Sequence, residues 1–220
     1  MTVFARRGIE ASVIDEVIGT AGVARGTFYN HFRGNEDLLA AVAQAVSDEM
    51  LRIVDPIVRA EADPAARVAT GIRLILGIAR EHPQLAAFMV RGGPRAIGAQ
   101  GLATVYLPRD VAAGIASGAF SRVPPRLAFD LVTGAVLAGF HTLLTRRVAG
   151  RYANDMACMV LRALGVASRR AASIAHRHIA TPHLGPDSLL ARAEAMASAA
   201  RLPPGRARPG GEVQASGSGA

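Results

Sequence analysis

The chain contains no lysine and no tryptophan, only 5% aromatic residues, and a single cysteine. One thiol, Cys158, excludes an internal disulfide and fits a reducing cytoplasm. Its apolar neighbours predict a small core residue. Zinc-type cysteine pairs, phosphate-cradling glycine loops and nucleophile elbows are all missing. Carboxylates are scattered, with no pair on an apolar helical face. His176, His178 and His183 are spaced by two and five residues, which does not align them on one helical face, and Pro182 intervenes. They are expected to be surface histidines. These absences predict a protein that is not an enzyme, with no catalytic residue, no metal and no cofactor. No signal peptide opens the chain. Its most apolar span, residues 131–144, contains His141 and is too short to cross a bilayer, so no membrane partner is expected.

What is present points to helices. Half of the 220 residues are hydrophobic and alanine is abundant, which suits an all-α protein of one or two domains. All 25 basic residues are arginine and the net charge is +8, compatible with a polyanionic partner. The distribution tempers this. Residues 1–52 hold five arginines (6, 7, 25, 33, 52) against seven acids (10, 15, 16, 36, 37, 48, 49), a net of −2. Global charge therefore gives no support to nucleic-acid binding at the N-terminus; a local motif does.

That motif occupies residues 12–38, SVIDEVIGTAGVARGTFYNHFRGNEDL. Ser12 is a good N-cap, with Asp15 three residues on. Val13, Ile14, Val17, Ile18 and Ala21 recur at helical spacing. Gly22 suits a helix C-terminus, and Val23 is expected to plug the angle to the next helix. A second helix is predicted over residues 25–32, with Phe28 and Phe32 inward. Thr27, Asn30 and His31 share an outward face flanked by Arg25, Gly26 and Tyr29, all polar or small and suited to phosphates and base edges. Asn35 is expected to cap a third helix carrying Glu36 and Asp37 in its first turn. Helix, glycine turn and short polar-faced helix make a helix-turn-helix.

Ser12, Val17, Ala21-Gly22-Val23, Gly26-Thr27-Phe28-Tyr29, His31-Phe32 and Leu38 closely resemble the N-terminal domain of the tetracycline-repressor-like (TetR) transcriptional regulators. The close match covers about residues 3–45. The resemblance implies that residues 25–31 are the recognition helix, with Gly26 and Thr27 close to DNA and Ser12, Tyr29 and His31 on phosphates. It departs from the family in three places. Asn35 stands where a phosphate-binding lysine is usual, and Ile18 where alanine is common. A full first helix and a basic arm should also precede Val3-Phe4, where only MTVFARRG stands; the expectation is an upstream start or weak DNA binding.

Beyond residue 38 the third helix continues with Leu39, Val42, Val46, Met50 and Ile53 on one stripe. Asp55-Pro56 and Asp63-Pro64 read as breaks, the second with Asp63 as N-cap. A helix over residues 64–81 turns Val68, Ile72, Ile75 and Ala79 inward, and a short one follows with Leu85, Phe88 and Met89. Residues 91–94 stop it, and a looser helical region is broken near Pro108. The longest apolar helix, residues 126–147, carries a small-residue stripe of Leu127, Leu131, Gly134, Ala135, Ala138 and Gly139. A further helix spans residues 151–164 until Gly165. In the resembled family two such helices from each subunit pack as a four-helix dimer interface, which implies a homodimer. Residues 168–178 form another amphipathic candidate, 189–200 a last possible helix, and the tail from 202 should be disordered.

The predicted division is a helix-turn-helix domain over residues 1–47, a helical ligand-binding and dimerisation domain over 48–180, and a tail over 181–220. Phe88, Met89, Tyr106, Phe140, His141 and Met156, with Phe129 and Met159, offer flexible or bulky side chains for a small hydrophobic effector. The expected function is a cytoplasmic, ligand-responsive regulator, a repressor, whose homodimer reads a two-fold double-stranded DNA operator and leaves it when the effector binds. The rival expectation is a helical ligand-binding or dimerisation protein that has lost DNA binding.

Overall fold

The computed structural model describes residues 13–182 apart from residue 99, together with residues 185, 188 and 191. Ser12, His183, the candidate helix over residues 189–200 and the expected tail lie outside that range, residue 191 apart. Among the described residues there are nine α-helices and no strand: α1 (Val13–Ala21), α2 (Arg25–His31), α3 (Asn35–Ala60), α4 (Pro64–Glu81), α5 (Pro83–Gly92), α6 (Ala103–Ala116), α7 (Pro125–Thr145), α8 (Tyr152–Ala163) and α9 (Ser168–His176). A 3₁₀ turn, Gly93–Ile97, follows α5.

The α4 helix is the axis of the larger unit. Asp63 caps it by accepting from the Ala65 N–H at 3.0 Å, and Pro64 fills the first helical position. Val68, Thr70, Ile72, Leu74, Leu76 and Ile78 are all buried, so the helix is covered on every side rather than along one stripe. Helices α3, α5, α6, α7, α8 and α9 pack against it. At its far end α8 stops at Gly165, where the Val166 N–H reaches back to the Leu161 carbonyl at 3.0 Å.

Two prolines expected to break helices lie inside them. Pro56 sits within the 26-residue α3 and Pro108 within α6. Each removes one backbone donor and crowds the preceding turn. Here Val54 and Val58, on both sides of Pro56, and Val111, one turn after Pro108, are nearly inaccessible, so burial outweighs the lost hydrogen bond. Asn35 does not cap α3. Gly34 occupies the N-cap, Asn35 is the first helical residue, and the Asp37 carboxylate accepts from the Arg33 N–H at 3.1 Å.

The apolar α7 is longer than the expected span. It has 21 residues and is apolar enough by length and composition to cross a bilayer, yet most of it is not buried among the described residues. Ala128, Val132, Gly139 and Phe140 face inward, whereas Leu127, Leu131, Gly134 and Ala138 are exposed. The predicted small-residue stripe therefore splits into two faces. Gly139 is small because Leu76 of α4 lies against it; a Cβ there would stand 2.7 Å from the leucine Cδ2. Gly134 has open space instead.

Candidate DNA-reading face and effector cavity

Helix α1 ends in a Schellman turn. Gly22, at φ +66°, lets the Val23 N–H reach the Ile18 carbonyl at 3.2 Å and its own N–H reach Gly19 at 3.3 Å. A residue with a side chain is strained there, and the turn aims α2 away from α1. Phe28 is the buried anchor of α2, edge-on to Tyr29 at 5.3 Å and 5.5 Å from Phe32. It belongs to the same core as Leu38 and Leu39 at the start of α3. Ile14, Val17 and Ile18 pack on that core as expected. Val23 does not fill the angle, keeping 39% of its surface exposed.

With Phe28 fixing the inner side, Arg25, Gly26, Thr27, Tyr29, Asn30 and His31 are all exposed. A Cβ on Gly26 would meet nothing within 4 Å among the described residues, so no packing among them requires glycine there. Arg25 pairs loosely with Asp15 at 3.6 Å, both well exposed, a contact that contributes little in water.

Between α3, α4, α6 and α7 lies a cavity of about 120 Å³. From α3 it is lined by Met50, Leu51, Val54, Val58, Ser47 and Asp55; from α4 by Val68, Ile72, Ile75, Gly71 and Arg67. Helix α6 adds Tyr106, Leu107 and Asp110, and α7 adds Val132, Thr133, Val136, Leu137 and Phe140. Met89 and Ile97 close one side. Of the residues expected to surround an effector, Met89, Tyr106 and Phe140 reach this wall. Phe88 and Met156 pack elsewhere in the core, and His141 is exposed on the outer side of α7.

The polar wall is the part that sequence reading missed. Asp55 and Asp110, judged scattered, converge from two helices on Arg109. Its Nε and Nη2 donate to the two Asp110 oxygens at 3.0 and 2.9 Å, and Nη2 also donates to Asp55 at 2.8 Å. Arg67 stands 3.7 Å from Asp110. Two buried carboxylates are thus matched by two guanidinium groups, which is the condition for tolerating charge in a core. The Asp110 hydrogen bond, then the Asp55 one, hold the Arg109 guanidinium above its ordinary pKa, against the opposing effect of burial. Arg109 also lies over the Tyr106 ring, 5.1 Å from its centre. The sequence signal was an acid at an apolar phase of each helix.

The wall is tied to the DNA-reading unit. Helix α3 starts beside Phe28 and ends beyond the cavity, so one rigid element belongs to both. The Asp48 carboxylate accepts from the Leu102 N–H at 2.7 Å, and Arg95 pairs with Glu36 at 2.9 Å. The first contact holds the segment after α5, which supplies Ile97 to the wall, onto α3, while the exposed ion pair adds little.

A helix-turn-helix joined through one long helix to a hollow helical bundle is the layout of a one-component regulator. Residues 1–42 match the family described as "Bacterial regulatory proteins, tetR family", and residues 63–177 match "Tetracyclin repressor-like, C-terminal domain". The chain belongs to the TetR family of transcriptional regulators, with a helix-turn-helix DNA-binding domain and a C-terminal ligand-binding domain. Among solved structures it is similar to RolR without ligand, at 27% identity and a TM-score of 0.69, over 84% of this chain and 95% of that one. RolR in complex with resorcinol matches at 27% identity and a TM-score of 0.72, over 83% and 91%. The fatty acid degradation regulator FadR from Bacillus halodurans shares the fold at 19% identity and a TM-score of 0.54, over 72% and 92%.

Proposed function

We propose that this regulator is a homodimeric repressor that reads a two-fold operator and is released by a small, mostly apolar effector bearing hydroxyl groups. The observation that carries the proposal is the shared helix α3, which supports Phe28 at one end and lines the cavity at the other. Arg25, Gly26, Thr27 and Asn30 lie against the groove and its base edges, while Tyr29, His31 and Ser12 hold phosphates. The two recognition helices then stand about 34–36 Å apart, one turn of DNA.

The dimer forms through α7 and α8. Leu127 on α7 and Met159 on α8, 60% and 59% exposed, are the apolar surface that a second copy would cover. The effector class follows from the wall. A cavity of about 120 Å³ admits a single-ring molecule, comparable to the roughly 150 Å³ engineered cavity that binds benzene. Asp55 and Asp110 on the wall can accept hydrogen bonds from ligand hydroxyls. RolR, similar in fold, is seen with resorcinol, a ring with two hydroxyls. Release follows if the effector binds better to the state in which α3 sets the wrong spacing; moving that equilibrium from 1:99 to 99:1 takes roughly a 10⁴-fold preference.

The test is a binding titration on DNA from this gene's own upstream region, with Tyr29→Ala as control and resorcinol as first probe. Saturable binding lost in the variant, and weakened by resorcinol or another neutral phenol, supports the proposal. No binding by the intact chain moves the reading to a ligand-binding protein that does not act on DNA.

A further inference from the structure

A second cavity of about 110 Å³ lies on the other side of α4, between that helix, the end of α7 and the start of α8. One side is apolar, formed by Leu76, Leu143, Val148 and Ile179; the other is formed by Arg73, Arg80, Tyr152 and Asn154. Arg73 and Arg80 are seven residues apart, two turns of α4, and so share a face.

Arg73 is positioned but not satisfied. Its Nε donates to the Asn154 side chain at 2.9 Å and its Nη2 to the Arg177 carbonyl at 2.8 Å. Its Nη1 is buried and has no acceptor among the described residues. Leaving a charged donor unmet is costly. Burial lowers the Arg73 pKa, Arg177 lowers it further, and Glu61 opposes both. The Arg80 Nη1 donates to the Gly150 carbonyl at 3.1 Å. The first three residues of the 12-residue α8 line the same cavity, adding the positive end of a helix dipole. The nearby carboxylates are engaged elsewhere: Glu61 pairs with Arg177, and Asp155 with Arg151 at 3.2 Å. Neither lines the cavity.

We propose that this cavity is a binding site for a small organic carboxylate, held by Arg73 and Arg80 with its short apolar body against Leu76, Leu143, Val148 and Ile179. The first cavity differs, since its charged lining sets the carboxylates Asp55 and Asp110 beside Arg67. Both cavities use α4 and α7 as walls.

Isothermal titration of the intact chain at fixed ionic strength provides the test, with sodium isobutyrate as probe and inorganic phosphate as comparison. Isobutyrate is expected to bind at one site per chain and more tightly than phosphate. Arg73→Gln is expected to weaken it by about tenfold, the loss of a charged hydrogen bond. Arg80→Gln, at an exposed position outside the core, weakens it too and covers the case in which the Arg73 variant does not fold. Val136→Phe, which fills the first cavity, leaves isobutyrate binding in place. The proposal is overturned if isobutyrate does not bind, or if phosphate binds equally well. It is also overturned if binding survives both arginine substitutions, or disappears in Val136→Phe.

Discussion

The two α7 glycines form a paired experiment. Gly134 sits inside a 21-residue helix, and an added Cβ would meet nothing within 4 Å. In the isolated chain Gly134→Ala is expected to stabilise α7 by about 1 kcal/mol, the propensity difference between the two residues. For a chain of this size that raises Tm by about 2–4 °C. In a dimer that uses the Leu127–Leu131–Gly134–Ala138 stripe, the same methyl enters a close helix contact. Overpacking there costs about 1–3 kcal/mol, so the dimer dissociation constant rises by about 5–150-fold. Gly139→Ala works inside the chain. Its Cβ would stand 2.7 Å from Cδ2 of Leu76, which is 1% exposed and has little room to yield. The gain in propensity is offset, and melting is expected to fall at every protein concentration. Sedimentation velocity over a concentration series, with melts at the lowest and highest concentrations, reads both effects. An unchanged dimer constant in Gly134→Ala would refute the close approach at this stripe.

Other substitutions probe the two functional ends. Tyr29→Ala, at a 48% exposed position, should change stability by no more than about 0.5 kcal/mol while abolishing operator binding; a large drop in Tm would assign Tyr29 to folding instead. Arg109→Met leaves Asp110, 4% exposed, with only Arg67 at 3.7 Å. Because Arg109 is partly open to solvent, the expected loss is about 2–3 kcal/mol, below the full range for a broken buried pair, read by urea denaturation. The raised pKa of Arg109 makes this contribution fully present below the ordinary arginine value and lost only as pH climbs through the higher folded value. The wild-type minus Arg109→Met difference should therefore be flat across neutral pH. Val136→Phe should leave operator binding intact and abolish the response to effector, measured by titrating effector into the protein–DNA complex.

Local grammar made the DNA-reading unit legible. Gly22, Phe28 and Leu38 each act within a few residues of their partners, so their spacing alone carries the turn, the anchor and the next helix. Asp63-Pro64 was legible for the same reason, since a cap and the first helical position are adjacent by definition. Pro56 and Pro108 misled because a proline's local penalty is visible in sequence while the burial that overrides it is not. The cavity was the hardest part. Met89, Tyr106 and Phe140 were named for their bulk and lie on the cavity wall, whereas Asp55, Arg67 and Asp110 come from three helices and meet only after packing. His141 shared the apolar helix but not its inner face, a distinction of phase that the dense run of small residues in α7 concealed.

If effector and operator compete through α3, their binding is thermodynamically linked. The effector's dissociation constant would be measured with and without saturating operator DNA, and the operator's with and without saturating effector. Each ligand is expected to weaken the other by the same factor, on the order of tenfold to a hundredfold. Equal effector affinity in the free and DNA-bound protein would contradict it.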